Sequence, residues 1–313
     1  MPRVVVTEFM DAPAVASLRA RHDVVYDPTL VDRADALRAA MADADALVVR
    51  NRTRVDAALI GAAARLAVVG RLGVGLDNID VAACGKRGIA VIPATGANAL
   101  AVAEYVVGTA MMMLRGAYQA TADVAAGRWP RERLSAGREI HGKTLGLVGF
   151  GGIGRLAARL ARALGMTLVA HDPAIDPNAA VWNEFATQPL ALDELFAGAD
   201  VVSLHVPLVD ATRNLVDARR LALLKPHAIL INTARGGIVD EAALAAALRA
   251  GRLGGAALDV FASEPLAAGS PLADAPNLLL TPHIAGVTAE SNARVSAMIA
   301  ERVDQALQAR HPA

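Results

Sequence analysis

Short apolar runs alternate with amphipathic, alanine-rich stretches from one end of the chain to the other. Residues 4–6, 24–26, 46–49, 67–69 and 90–92 are too short for helices and rich in Val, as strands buried on both faces of a parallel sheet are. Between them, 12–20, 34–42 and 55–63 repeat apolar residues at helical spacing. The series then starts again, with strands expected at 145–148, 167–170, 201–204, 228–232 and 255–258. The fold class read from this pattern is α/β, with two doubly wound, Rossmann-like domains. The pattern breaks at Pro93-Ala94-Thr95-Gly96-Ala97-Asn98, after which 99–114 reads as one long helix.

The second series opens on Gly149-Phe150-Gly151-Gly152-Ile153-Gly154, placed between the apolar run 144–148 and a helical run over 155–164. This is the arrangement of a dinucleotide-binding βαβ unit. The first glycine permits the tight turn, the second lets the backbone approach a pyrophosphate, and the third lets helix pack on strand, with the phosphates at the positive helix N-terminus. Asp172 ends the next apolar run, about 20 residues on, where an acidic side chain receives a ribose 2′-hydroxyl. Its carboxylate would repel a 2′-phosphate, and Pro173-Ala174-Ile175 offers no arginine to hold one, so the expected cofactor is NAD rather than NADP.

Composition narrows the classes that remain. At 313 residues the chain has length for about two domains, and it is 54% hydrophobic, enough for a substantial core. Thirty-one basic residues balance 31 acidic ones, which gives no electrostatic case for nucleic acid or an anionic membrane surface. A single cysteine, Cys84, can form neither an internal disulfide nor a cysteine metal site, and suits a reducing compartment. The first residues lead straight into a strand with no signal-peptide pattern, and the helix at 99–114 is interrupted by Glu104 and short of the ~20 residues that span a bilayer. A cytoplasmic enzyme without metal is the expectation.

Three further stretches put charged residues or histidine just beyond a strand, at the edge where open α/β sheets bind ligands. They are Asn232-Thr233-Ala234-Arg235-Gly236-Gly237, Leu258-Asp259-Val260-Phe261 with Glu264-Pro265, and Thr281-Pro282-His283-Ile284-Ala285-Gly286. Together with the glycine loop they resemble the D-2-hydroxyacid dehydrogenase family over nearly the whole chain. The resemblance implies a catalytic Arg, Glu, His set at Arg235, Glu264 and His283. The chemistry of these side chains suits reduction of a 2-oxo acid, which needs a proton donor for the developing alkoxide and a cation for the carboxylate and carbonyl. His283 would exchange the proton, Glu264 would orient it and favour its charged form, and Arg235 would grip the carboxylate with its planar fork. Formate dehydrogenases of the family carry glutamine where Glu264 stands, which argues against formate.

The family likeness also implies cofactor contacts: Asp259 at the nicotinamide carboxamide, Thr233, Ala234, Arg235, His283 and Gly286 around it, and His205-Val206-Pro207 with Thr212 beside the adenosine ribose and pyrophosphate. It implies a discontinuous, flavodoxin-like substrate domain over 1–97 and 288–313, with an NAD-binding domain inserted over 98–287 and the reaction in the interdomain cleft. On the substrate side it points to the loop Gly73-Val74-Gly75, whose glycines let successive N–H groups converge on an anion, and to Asn98. Arg50-Asn51-Arg52-Thr53-Arg54 puts three cations directly after the strand 46–49. Arg50, nearest the strand end, is the candidate for a second anionic group on the substrate, the alternative being a solvated basic loop.

Within the family, two groups act on such dianions, on phosphoglycerate and on (S)-sulfolactate. The stretches Thr7-Glu8-Phe9-Met10-Asp11, Val48-Val49-Arg50-Asn51-Arg52-Thr53, Pro93-Ala94-Thr95-Gly96 and His283-Ile284-Ala285-Gly286-Val287-Thr288 look most like the sulfolactate enzymes. The expected partner is therefore a small anionic 2-hydroxy acid, sulfolactate first, with 3-phosphoglycerate or hydroxypyruvate and glyoxylate as alternatives. The chain stops at Ala313, short of the regulatory domain of long phosphoglycerate dehydrogenases, so feedback through such a domain is not expected. Arg128-Trp129-Pro130-Arg131-Glu132-Arg133 reads as an exposed arm, and a homodimer through 98–140 is expected. A reading from another class, an NAD-sensing corepressor of this fold, keeps the same residues but predicts partner binding without turnover.

Overall fold

The computed structural model describes residues 1–310, which form two compact units: 1–98 with the stretch from Val287 onward, and Ala99–Gly286. The first unit holds β1 (Arg3–Val6), β2 (Asp23–Tyr26), β3 (Ala46–Val49), β4 (Val68–Arg71) and β5 (Ala90–Pro93), all parallel, in the order β2-β1-β3-β4-β5. Both faces are covered, as the unbroken apolar runs require. One face packs Val5, Leu47, Val49 and Val69 under the helices Ala34–Met41 and Ala57–Ala62. The other packs Val4, Val6, Val48 and Val68 under Ala12–Arg19 and the helix Ala289–Arg310, which returns to this sheet. Gly70 makes room for that helix, since a Cβ there would lie 2.8 Å from Ile299 and Val303 methyls.

The second unit carries β6 (Thr144–Val148), β7 (Thr167–His171), β8 (Thr187–Pro189), β9 (Val201–Leu204), β10 (Ile229–Asn232), β11 (Gly255–Leu258) and β12 (Leu278–Leu280). Their order is β12-β11-β10-β9-β6-β7-β8, again parallel. Helices Ala99–Arg115 and Gly152–Ala163 pack on each other and on one face of this sheet, around Phe150, Leu147 and Ile231. Phe150 stacks on Trp182 with ring centroids 5.0 Å apart.

Two edge strands, β8 and β12, were not among the strands expected from the pattern. Each has three residues, and Thr187-Gln188-Pro189 has no apolar run to betray it. The helix after the glycine loop starts at Gly152 instead of 155, because glycine's low helix propensity hides the first turn in the sequence. Among the described residues, no helix is long and apolar enough to cross a membrane and no group of three or more His, Cys, Asp or Glu could hold a metal ion.

Each sheet reverses its winding at one point, and there the loops of neighbouring strands diverge and leave a crevice at their carboxyl ends. In the first unit that point lies between β1 and β3, so it falls on Glu8 and Arg50. In the second it lies between β6 and β9, and falls on Gly149 and His205.

Candidate active site

At the β6/β9 reversal the glycine loop is built as its spacing predicts. Gly149 has φ +94°, and a Cβ on it would stand 2.6 Å from the carbonyl oxygen of His205. A Cβ on Gly154 would stand 2.4 Å from the Gly149 oxygen, so the third glycine lets the helix close on the strand. Gly151 and Gly152 meet nothing within 4 Å and are exposed, which leaves their backbone open at the start of the twelve-residue Gly152–Ala163 helix, with Ile153 half-buried behind them. A cradle with two glycines closed by packing and two open fits a pyrophosphate.

Asp172 follows β7, and its carboxylate accepts the Phe150 N–H at 2.8 Å and the Ala174 N–H at 3.0 Å. Those bonds hold it beside the glycine loop and leave each oxygen a second lone pair, as a ribose hydroxyl requires. His205 follows β9, its Nε2 3.0 Å from Ser203 Oγ, and burial pushes the ring down to about 4, so it is neutral. Val206 and Pro207 continue from it, and Thr212 Oγ1 folds their loop by bonding the Val209 N–H at 2.9 Å.

The other three motifs converge within the second unit. Asn232, buried at the end of β10, accepts the Ala234 N–H at 3.0 Å and donates to the Arg235 carbonyl at 2.9 Å, which curls the chain into the turn bearing Arg235. Only glycine fits at 236, where a Cβ would lie 1.8 Å from the Phe261 oxygen, so this turn sits directly on the Phe261 segment. Thr233 Oγ1 is buried with no hydrogen-bond partner in the protein. A ligand that supplied one would relieve that cost.

His283 Nδ1 lies 2.8 Å from Glu264 Oε2, while Glu264 Oε1 accepts the Phe261 N–H at 3.0 Å. A carboxylate only accepts, so Nδ1 carries the proton of this bond, which in the neutral ring leaves the lone pair on Nε2. The His283 side chain is 42% exposed, accessible to a small molecule although its backbone is fixed. The Asp259 side chain is turned to internal use. It accepts the Thr281 hydroxyl at 2.6 Å, the Ile284 N–H at 2.8 Å and the Ala285 N–H at 2.8 Å, ahead of Gly286. These bonds leave one lone pair for a carboxamide and tie down the loop of His283.

In the first unit, Arg50 does lie at the sheet reversal. Its guanidinium stands 5.7 Å from the centroid of the Phe9 ring and donates from Nη2 to Asn292 Oδ1 at 2.6 Å. Burial lowers its pKa, with Glu8 acting in the opposite direction. Arg52 pairs with Asp32 on the exposed surface, apart from the half-buried Arg50, and Arg54 is exposed. Glu8, itself buried, accepts the N–H groups of Arg50, Arg52 and Thr53, while Asn78 Nδ2 donates to the carbonyls of Arg50 and Thr53. Gly73 is buried at φ +153°, beneath the Arg71 guanidinium, with Val74 exposed and Gly75 half-buried beyond it. Asn98 Oδ1 is buried and without a hydrogen-bond partner in the protein.

Glu8, Asn78 and Asn292 were not singled out by the sequence reading. An acidic residue closing a buried strand beside a basic loop was the available signal for Glu8. For Asn292, 242 positions from Arg50, there was none.

The model of the D-isomer specific 2-hydroxyacid dehydrogenase NAD binding domain matches residues 107–285. The chain is 54% identical over 307 residues to the (S)-sulfolactate dehydrogenase of Chromohalobacter salexigens, covering 98% of this chain and 99% of that one. It is 41% identical over 309 residues to the D-3-phosphoglycerate dehydrogenase of Mycobacterium bovis, covering 98% of this chain and 57% of that one, so it spans little more than half of that protein. Among solved structures, a Thermus thermophilus protein superposes with a TM-score of 0.87 at 35% identity, covering 98% of this chain and 97% of its own.

Proposed function

The chain belongs to the D-isomer specific 2-hydroxyacid dehydrogenase family and is an NAD-dependent oxidoreductase; from that premise we propose that it interconverts (S)-3-sulfolactate and 3-sulfopyruvate, with Arg235, Glu264 and His283 as its catalytic set. The observation that carries the chemistry is the 2.8 Å bond from His283 Nδ1 to Glu264. Bound NAD supplies the hydride acceptor. In the oxidative direction His283 Nε2 takes the C2 hydroxyl proton as the C2–H bond gives up its hydride, and in reduction it returns that proton to the carbonyl oxygen. Glu264 holds the ring in the productive tautomer and stabilises the imidazolium that forms. Arg235 fixes the carboxylate and polarises the adjacent carbonyl oxygen.

The residues that would hold NAD are the open backbone at Gly151 and Gly152, Asp172 for the ribose hydroxyls, the His205-Val206-Pro207 loop with Thr212, and Thr233, Ala234, Asp259 and Gly286 at the nicotinamide end. The orphaned Thr233 hydroxyl supports this assignment. For substrate, the Gly73-Val74-Gly75 loop and Asn98 would receive the carboxylate, and Arg50 the sulfonate. Sulfonate and phosphate both favour arginine; the reading of sulfonate rests on the 54% identity to a sulfolactate enzyme over nearly the whole of both chains. Sulfur outranks the carboxylate in the naming rules, so the S label describes the same spatial arrangement as a D-2-hydroxy acid.

We also propose a homodimer formed through 98–140, supported by Trp129 and Tyr118, which are 77% and 66% exposed on that segment. The lone buried cysteine fits a cytoplasmic setting.

Initial rates of NAD reduction with sulfolactate, 3-phosphoglycerate, D-glycerate and D-lactate, repeated with NADP, test the proposal. Selectivity for sulfolactate with NAD, abolished by His283→Ala, is the expected result. Preference for a monoanion would overturn the sulfonate assignment, and turnover surviving His283→Ala would overturn the catalytic one.

A further inference from the structure

The carboxylate of Asp259 gathers the amides on the far side of His283, and its own orientation is set from a helix that carries none of the catalytic set. Tyr105, on the Ala99–Arg115 helix, has its hydroxyl 2.6 Å from Thr281 Oγ1, and Thr281 Oγ1 is 2.6 Å from Asp259 Oδ1. The direction of both bonds follows from the groups themselves. A carboxylate is an acceptor only, so Thr281 gives its single proton to Asp259 and must receive one from Tyr105. Burial pushes the phenol above its ordinary value; the bond with Thr281 opposes the rise, Asp259 adds to it, and a bond with Thr109 on the same helix opposes it again, the net being upward, so the phenol keeps its proton to donate.

The far end of the chain bears on His283. Its N–H donates to the Asp259 carbonyl at 2.8 Å, and the next two N–H groups, of Ile284 and Ala285, both donate to the Asp259 carboxylate. His283 itself has φ +55°, a conformation that side-chain-bearing residues rarely adopt. The bonds to Asp259 on its C-terminal side and to Glu264 through its ring oppose relaxation from it.

We infer that Tyr105 is a positioning residue for catalysis, fixing the backbone of His283 through the chain Tyr105 to Thr281 to Asp259. The Thr281 hydroxyl, held by Tyr105, supplies the third bond to the Asp259 carboxylate beside the two amides and keeps that head from rotating. The inference rests on His283 being the proton-transfer group.

Tyr105→Phe removes the first proton of the chain without changing the ring. Loss of one buried neutral hydrogen bond corresponds to roughly 2- to 10-fold, expected in kcat, with KM for the 2-hydroxy acid unchanged. Thr281→Val should lower kcat at least as far and Thr281→Ser should restore it. The double variant Tyr105→Phe with Thr281→Val should be no slower than the slower single variant, because the two act as one unit. Near-ultraviolet circular dichroism at the assay temperature checks that each variant is folded. Undiminished kcat in folded Tyr105→Phe, or multiplicative losses in the double variant, overturns the inference. Should Tyr105→Phe not fold, equal kcat for Thr281→Ser and Thr281→Val overturns it, and a loss confined to valine supports it. His283→Ala in the same assay separates the two levels: if it stays active, the reading of His283 fails, whereas its collapse alongside an unaffected Tyr105→Phe removes this inference alone.

Discussion

Asn292 holds Arg50. The 2.6 Å bond from Nη2 to Oδ1 joins the end of β3 to the first turn of the Ala289–Arg310 helix, and with the Phe9 ring it gives a long, rotamer-rich side chain one pose. Pre-setting that pose lowers the entropic cost of gripping an anion. Arg50→Ala should therefore raise KM for sulfolactate by roughly 10- to 100-fold, the worth of a charged hydrogen bond. Asn292→Ala should raise it by a few-fold. Neither should change KM for D-lactate, and steady-state kinetics with both substrates would show equal losses if Arg50 acted only on the fold.

Glu264→Gln keeps an acceptor for the His283 ring but removes the charge that stabilises the imidazolium. A fall in kcat of roughly 10² is expected, at the low end of what general acid–base catalysis contributes, with KM for NAD little changed. Glu264→Ala should be slower still, since the Phe261 N–H then also loses its acceptor. Presteady-state hydride transfer, measured with C2-deuterated substrate, should show the chemical step becoming fully rate-limiting in both variants; an undiminished kcat in the glutamine variant would refute the electrostatic role.

Acid stability should fall in two separate windows. His205 is held at about 4 by burial, against an ordinary value of 6.5, so between those values the unfolded chain binds a proton that the folded chain refuses. Stability is thus complete above 6.5 and declines as pH falls to about 4, with a slope approaching about 1.4 kcal/mol per pH unit. Asp200 behaves as a depressed carboxylate. Burial would raise it, but the Thr144 N–H, His227, Lys225 and Arg138 prevail and bring it to about 2. Its contribution is present above its ordinary 3.8 and is lost as pH falls towards 2. Urea titrations across pH 3 to 7 should show the upper slope vanish in His205→Gln, while Asp200→Asn should leave it in place.

The sequence exposed what depends on local spacing. The parallel strands and the glycine turn are each written within a few consecutive residues. What it hid are bonds between distant positions. Glu8 and Arg50 are 42 residues apart, and Tyr105 and Thr281 are 176 apart. A half-buried tyrosine in an apolar helix has no periodic mark distinguishing a donor from core filling. The polar edge strand β8 was hidden for the opposite reason, because an outermost strand needs no apolar run on both faces.

The first unit takes its sheet from the beginning of the chain and one covering helix, Ala289–Arg310, from near its end. During synthesis the sheet must wait, with Val4, Val6, Val48 and Val68 lacking Val295, Ile299 and Val303, until the residues of that helix have left the ribosome. The second unit is one uninterrupted stretch and is complete earlier. The nucleotide-binding half can thus mature first, and the unit bearing Arg50 is a late assembly whose vulnerable interval is set by translation rate and chaperone supply rather than by its own folding speed.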